Sequence, residues 1–300
     1  MSRKIIYIIN PVAGTKSKND LQQFIETKTK EAGIGYFVFP SVEDGNYSFL
    51  NAIITEKKIT DVIIAGGDGT ISSVVGSLLN EDINFGIIPC GSGNGLAHTA
   101  KIPKKPARAL DIIFNGKASS IDGFFVNDRF ACMLAGLGFD AKVAHEFADH
   151  PKRGLMTYAQ LTLKNFFSAN PFRFELKFEK TRLDMDAFFI SIANSNQFGN
   201  NFTIAPKASL TDGLLDIVIV TSQNKASFVL QTLKQMAGWN LLQASSVVTK
   251  KSGVIYFQTD KLEVINHSQA PLHIDGDPAE TPGKLKVEIK KKCFRLIQPA

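Results

Sequence analysis

Gly66-Gly67-Asp68-Gly69-Thr70 is the stretch on which the fold turns. It follows the apolar run of residues 61–65 and precedes residues 71–79, whose apolar spacing predicts a helix. Three glycines in four positions let main-chain N–H groups approach a ligand with no Cβ in the way. The helix start beyond them supplies partial positive charge suited to a phosphate. A carboxylate inside such a loop is unusual, because Asp68 would repel a phosphate unless a cation stood between them. The plainer reading is a tight strand-to-helix turn with Asp68 as a cap.

Outward from this loop, strand and helix patterns alternate. Residues 4–9, 36–39, 61–65 and 85–88 read as short buried strands, and residues 18–32, 47–57, 71–79 and 107–114 as helices. That alternation predicts an open parallel sheet with helices on both faces. Past residue 121 the pattern changes. Residues 172–178, 187–193, 215–220, 254–257 and 284–289 read as strands, the last alternating strictly, with helices expected at 155–167 and 225–237. The expected organisation is an α/β nucleotide-binding domain over residues 1–120. A mainly β, sandwich-like substrate domain follows over 121–300, with its last strand able to return to the first domain.

A second glycine-rich loop, Pro89-Cys90-Gly91-Ser92-Gly93-Asn94-Gly95, follows the strand at 85–88, and its Ser92 and Asn94 can bond phosphate oxygens. Asn10-Pro11 follows the first strand in the same way. Three such loops at carboxyl ends of strands lie where open α/β sheets bind ligands, and together they indicate a nucleotide site. Neither glycine loop fits GxxxxGK[ST], so a P-loop ATPase is excluded. Gly136-Leu137-Gly138-Phe139-Asp140-Ala141 fits the loose dinucleotide fingerprint GxGxxA. It lies outside the α/β repeats and lacks an acidic residue at the required distance of about 20 residues downstream, so it reads as a decoy.

Composition narrows the class. The chain has 300 residues and a net charge of +6, divided as +2 over residues 1–120 and +4 over the rest, too even for a nucleic-acid stripe. Cys90, Cys132 and Cys293 are scattered, which rules out a disulfide framework, and the five histidines show no HExxH, which argues against a zinc hydrolase. No apolar run approaches the roughly 18 residues of a membrane span. The apolar stretch 5–9 is too short for a signal peptide and runs into Asn10-Pro11, which points to a cytoplasmic protein.

The remaining candidates are acidic: Asp122 near the domain junction, Asp212 and Asp216 in Asp212-Gly213-Leu214-Leu215-Asp216, and the pair in Asp275-Gly276-Asp277. Singly, each reads best as a turn residue. Together they fit a phosphotransferase, which needs carboxylates to hold Mg²⁺ and to accept the proton of an attacking hydroxyl.

At these residues the sequence resembles the diacylglycerol kinase/sphingosine kinase catalytic superfamily, with features of its bacterial lipid kinases. Residues 66–70 match its GGDGT signature, 89–94 its PxGSGN loop, 212–216 its DGLLD segment and 274–277 its C-terminal LDGE, in the family order. The resemblance implies an ATP-dependent lipid kinase that uses Mg²⁺. Gly66, Gly67, Asp68, Gly69, Thr70, Ile71, Ser72, Ser92 and Asn94 would contact ATP, helped by Asn10 and Ser41. Arg153 would take a basic phosphate-binding position. The family's Mg²⁺ would fall at Ser209, Asp212 and Leu214, with Ser209 and Leu214 ligating through main-chain carbonyls. The family base is a glutamate; here its position is held by Asp277, one methylene shorter, with Asp122 as its partner. Asp68 is the rival base, as in the sphingosine branch.

The resemblance further implies a lipid substrate, diacylglycerol first and a sphingoid base second, met at a peripheral membrane surface on the inner side. It leaves a homodimer open and gives no role to nucleic acid. Phenylalanine supplies 23 of 29 aromatics, with 14 of the 23 between Phe124 and Phe202; one set lines an acyl pocket or all fill the β core. Two further readings stand beside the lipid kinase: an NAD kinase, which shares GGDGT but whose second signature is absent, and a non-catalytic binding relative.

Overall fold

The computed structural model describes residues 3–11, 18–150, 161, 165, 169–199, 202–203, 205, 207–221 and 253–300. The chain divides into two compact units, residues 1–121 with 292–300, and residues 122–291. Arg153 and the helices expected at 155–167 (but for residues 161 and 165) and at 225–237 lie outside the described residues.

The first unit is built on strands β1 (Lys4–Ile9), β2 (Gly35–Pro40), β3 (Asp61–Gly66) and β4 (Asn84–Pro89), with helices α1 (Lys18–Glu31), α2 (Leu50–Lys57), α3 (Asp68–Ser77), α4 (Gly95–Thr99) and α5 (Pro106–Asn115). The strands lie in the order β2, β1, β3, β4, every pair parallel. Nearly all residues of β1, β3 and β4 are buried, which is why they read as unbroken apolar runs rather than alternating ones. Asp61 is the exception inside β3; its carboxylate is ion-paired with Arg3 at 2.8 Å. Gly86 keeps β4 close to its neighbours, because a Cβ there would lie 2.6 Å from Ile63 Cδ1.

The remaining strands are β5 (Lys117–Val126), β6 (Arg129–Ala131), β7 (Leu134–Gly138), β8 (Phe172–Phe178), β9 (Thr181–Ala193), β10 (Gln197–Gly199), β11 (Phe202–Thr203), β12 (Leu215–Thr221), β13 (Val254–Thr259), β14 (Lys261–Asn266), β15 (Leu272–Ile274), β16 (Asp277–Ala279) and β17 (Lys284–Gln298), with α6 (Phe139–Asp149) after β7. The end of β17 belongs to the first unit, where Arg295 and Leu296 pair in parallel with Asn84 and Phe85 of β4. The second unit is antiparallel. Residues 181–187 of β9 pair with β8, whereas residues 189–193 lie between β7 and β12, so one long strand serves two sets of partners. Its core takes Phe124, Phe174, Ile190, Ile192, Ile217, Ile219, Val264 and Leu285, all fully buried. Each such side chain contributes on the order of 1.5–3 kcal/mol.

The fold class is the expected one, a parallel-sheet α/β unit and a β sandwich-like unit. Several elements differ in extent. The helix expected from residue 71 already begins at Asp68, and the strand expected at 187–193 is only the second half of β9. Tyr47, expected inside a helix, precedes α2 and is buried in a turn. Among the described residues no helix is long and apolar enough to cross a membrane.

Candidate active site

In the first unit, the expected nucleotide residues collect at the carboxyl ends of the parallel strands. Asn10 ends β1 and Ser41 ends β2, with the Ser41 N–H donating to Ile9 O at 3.0 Å. Gly66 to Thr70 end β3 and open α3, and Ser92 lies exposed in the loop after β4. The two glycine loops touch through bare main chain: a Cβ on Gly91 would stand 2.6 Å from Gly67 Cα. Asn10 Nδ2 donates to Thr70 Oγ1 at 2.8 Å and ties the first strand to the same helix start.

Helix α3 starts with Gly67 as its extended N-cap residue, which has no side chain of its own to cap it. A glycine at the N-cap leaves main chain rather than a local side chain at the helix start, an arrangement suited to an anion. Ile71 is core, with its N–H bonded to Gly67 O at 3.0 Å, and Ser72 is buried beside it. These two shape the helix behind the loop.

Asp68 and Asn94 do work that their residue types alone do not reveal. Both Asp68 carboxylate oxygens accept main-chain N–H groups of the second loop, from Gly95 at 3.0 Å and Leu96 at 3.2 Å. The charge that seemed out of place in a phosphate loop is thus partly met by two donors from α4. Asn94 was expected to bond phosphate oxygens. Instead its Oδ1 accepts from Gly91 N–H at 2.8 Å and its Nδ2 donates to Gly91 O at 2.6 Å, closing its own loop in the left-handed conformation (φ 53°).

Sequence reading missed Tyr47. Its hydroxyl accepts the Val42 N–H at 3.2 Å and pairs with the Ser41 side chain, so it fixes the loop that carries Ser41. Burial pushes its pKa up. Nothing in its sequence position marks this role.

In the second unit, Asp122 is 1 % exposed and bound to the loop 209–214. Its N–H donates to Leu210 O at 2.7 Å and its Oδ2 accepts the Gly213 N–H at 2.8 Å. Asn194, also missed from sequence, donates from Nδ2 to both Asp122 O and Cys132 O at 2.9 Å. Asp212 Oδ1 accepts from its neighbour Leu214 N–H at 3.1 Å, while Ser209 Oγ accepts from Thr211 N–H at 3.3 Å. Partial desolvation raises the Asp212 pKa, and the like charge of Asp122 adds to the rise. Asp216 is fully buried, and burial raises its pKa although the Tyr256 hydroxyl and Gln258 amide donate to it.

Among the described residues no three His, Cys, Asp or Glu side chains converge on a metal position. The loop 209–214 nevertheless suits a cation: Asp212 is an exposed carboxylate whose ionisation is opposed by partial desolvation and by the like charge of Asp122, and a positive ion would offset that repulsion. Any further ligands there would be main-chain oxygens, as expected for Ser209 and Leu214.

Asp275 and Asp277 separate into two roles. Asp275 is buried, and its carboxylate accepts three successive N–H groups, from Cys132, Met133 and Leu134 at 2.8–2.9 Å. Asp275 (φ 50°) and Gly276 (φ 87°) form a tight two-residue turn. Asp277 then opens β16 opposite Ile274, with its side chain exposed. The phenylalanines divide as well. Phe124 and Phe174 are core, and Phe178 stacks on Phe257 with ring centroids 3.9 Å apart; Phe166 and Phe167 lie outside the described residues.

Residues 4–126 match the family described as the diacylglycerol kinase catalytic domain. Residues 134–298 match that described as the YegS C-terminal NAD kinase beta sandwich-like domain. A probable lipid kinase, YegS-like, of Chromohalobacter salexigens is 27% identical over 257 residues, covering 84% of this chain and 80% of that protein. A diacylglycerol kinase of Bacillus subtilis is 25% identical over 280 residues, 91% of this chain and 89% of that protein. The crystal structure of a diacylglycerol kinase from Bacillus anthracis superposes with a TM-score of 0.74 at 19% identity, covering 99% of this chain and 97% of that one, a likeness of fold.

Proposed function

The chain belongs to the diacylglycerol kinase family of enzymes that join that catalytic domain to a YegS-type β domain, and from this premise we propose that it is an ATP-dependent lipid kinase phosphorylating a hydroxyl of diacylglycerol. The observation that carries the reading is the start of α3, with glycine as its N-cap residue and main chain against main chain at Gly67 and Gly91. Gly67, Gly69, Thr70 and Ser92 would hold the phosphates of ATP, which supplies the transferable phosphoryl group when bound. Asp68 keeps the two loops in register by receiving the Gly95 and Leu96 N–H groups.

On this reading Asp277 takes the proton of the attacking lipid hydroxyl, work typically worth about 10²–10⁴ in rate. Its exposure on a hairpin fits a base that must meet an incoming acceptor. Asp122 holds the loop 209–214 in shape, and Asp212 with the carbonyls of Ser209 and Leu214 would hold Mg²⁺, which supplies positive charge at that loop. The net charge of +6 favours approach to an anionic lipid surface.

The test is transfer of label from γ-labelled ATP with Mg²⁺, offering diacylglycerol, sphingosine, ceramide, monoacylglycerol and NAD in parallel. Labelled phosphatidic acid from diacylglycerol is the expected product. Label on a sphingoid base would keep the kinase and change the acceptor, and label on NAD alone would overturn the lipid reading.

A further inference from the structure

The GxGxxA stretch that imitates a dinucleotide fingerprint has another use here. Gly136 sits in β7, which is antiparallel to both its neighbours, β9 and β15, so no Rossmann turn is present at this position. Gly136 pairs directly with His273 of β15. A Cβ on Gly136 would stand 2.1 Å from Asp140 Oδ2 and 2.3 Å from His273 Nε2. The glycine therefore leaves room for a buried pair, His273 (1 % exposed) and Asp140 (6 % exposed), with Nε2 and Oδ2 3.3 Å apart. Gly138 (φ 96°) turns the strand into α6, and a Cβ there would lie 2.5 Å from Phe188 O. Asp140 is then set in the first turn of α6, where its Oδ1 also receives the Ala141 N–H at 2.8 Å.

The other ring nitrogen of His273 faces the turn that precedes Asp277. Gly276 N–H donates to His273 Nδ1 at 3.3 Å, so Nδ1 is the acceptor and Nε2–H points at Asp140. A second clasp joins the same elements: His145 Nε2 of α6 bonds Leu272 O of β15 at 2.7 Å. The hairpin is thus held by Asp275 on one side and by the Asp140–His273 pair on the other. We propose that Asp140 and His273 are positioning residues for Asp277, fixing the hairpin that presents its carboxylate to the acceptor hydroxyl. The proposal rests on the reading of Asp277 as the base. A misplacement of about 1 Å at a reacting group costs on the order of 100-fold in rate, which gives such a pair leverage without touching substrate.

The test is a double-mutant cycle on the full chain with γ-labelled ATP and diacylglycerol in mixed micelles, reading kcat and the KM for ATP separately. His273→Ala is expected to lower kcat about tenfold or more with the KM for ATP within about twofold, and to cost little further once Asp277→Asn is present. His273→Asn, which keeps one acceptor and one donor, is expected to recover much of the loss. His273→Leu, apolar and of similar bulk, passes through the same cycle, so that misfolding of one variant does not decide the outcome. Unchanged kcat in the alanine and leucine variants, or equal losses in both backgrounds, would overturn the proposal while leaving the base in place. Wild-type kcat in Asp277→Asn would remove the base assignment itself, and the positioning role with it.

Discussion

The carboxylate of Asp68 and the main-chain N–H of Gly95 lie 3.0 Å apart, so the acid of the first glycine loop serves as the N-terminal cap of the helix that follows the second. The neighbouring bond to Leu96 makes the attachment bidentate. One residue thereby sets the relation between two loops that approach each other through glycine main chain.

Asp68→Ala removes both acceptors and leaves two helix-start donors to find water. A lost cap of this kind costs about 0.5–2 kcal/mol, so a lowered Tm by circular dichroism is expected. Activity should fall much further, about 100-fold, because the loops lose their register as well. Asp68→Asn keeps one acceptor and should fall between the two in Tm. Wild-type transfer rates in both variants would show that Asp68 has no part in aligning the loops.

Gly91→Ala tests the approach of the loops directly. Its Cβ would stand 2.6 Å from Gly67 Cα, and neither main chain can yield without moving its strand end. The expected result is a KM for ATP raised about tenfold, with a clear loss of Tm, since a backbone-on-backbone clash belongs to the strongly destabilising substitutions. Gly283→Ala, where no heavy atom lies within 4 Å of the added Cβ, is the control and should change neither quantity.

Much of the first unit was legible because parallel strands buried on both faces advertise themselves as apolar runs. Strands β1, β3 and β4 differ from their expected bounds by no more than a residue at either end. The start of α3 was not legible: Gly69 and Thr70 are weak helix formers, and the helix includes them because Ile71, Val74 and Val75 are anchored in the core. In the second unit β7, β15 and β16 escaped notice. They are short, glycine-bearing or polar, and owe their pairing to neighbours distant in sequence. Of the site, residue types were legible and partners were not. Asp68, Asn94 and Asp122 are expected to face ligand or base; their side chains also bond main-chain groups, in a neighbouring loop for Asp68 and Asp122 and in its own loop for Asn94.

Asp216 predicts a pH effect on stability. Its carboxyl is fully buried and its pKa is raised above 3.8, chiefly by burial, with the charge of Asp212 adding to the rise. The folded state therefore holds this proton more tightly than the unfolded chain. Stability from this group is present below 3.8 and is lost as pH climbs from there through the raised folded value. Asp216→Asn keeps an acceptor for the Tyr256 hydroxyl and cannot ionise. Its Tm relative to wild type should therefore rise as pH goes from about 4 to 7. A constant Tm difference across that range would show that Asp216 ionises in the folded protein as readily as in the unfolded chain.

Asp277 makes the sharpest kinetic prediction. Asp277→Asn preserves shape and removes the proton acceptor, so kcat should fall about 100-fold or more with little change in the KM for ATP. Because Asp277 is exposed at the start of β16, the Tm should hold within about 1 °C of wild type, as for most surface substitutions. Asp277→Glu restores the family's longer side chain on the same hairpin and should retain most of the rate, since the carboxylate still reaches outward from β16. The companion Asp275→Asn separates the two acids. It converts a carboxylate receiving three N–H groups into an amide that must turn a donor toward one of them, at a cost of about 1–3 kcal/mol. Loss of Tm in Asp275→Asn and loss of kcat without loss of Tm in Asp277→Asn is the expected pattern. The reverse pattern would make Asp275 the chemical residue and Asp277 the scaffold.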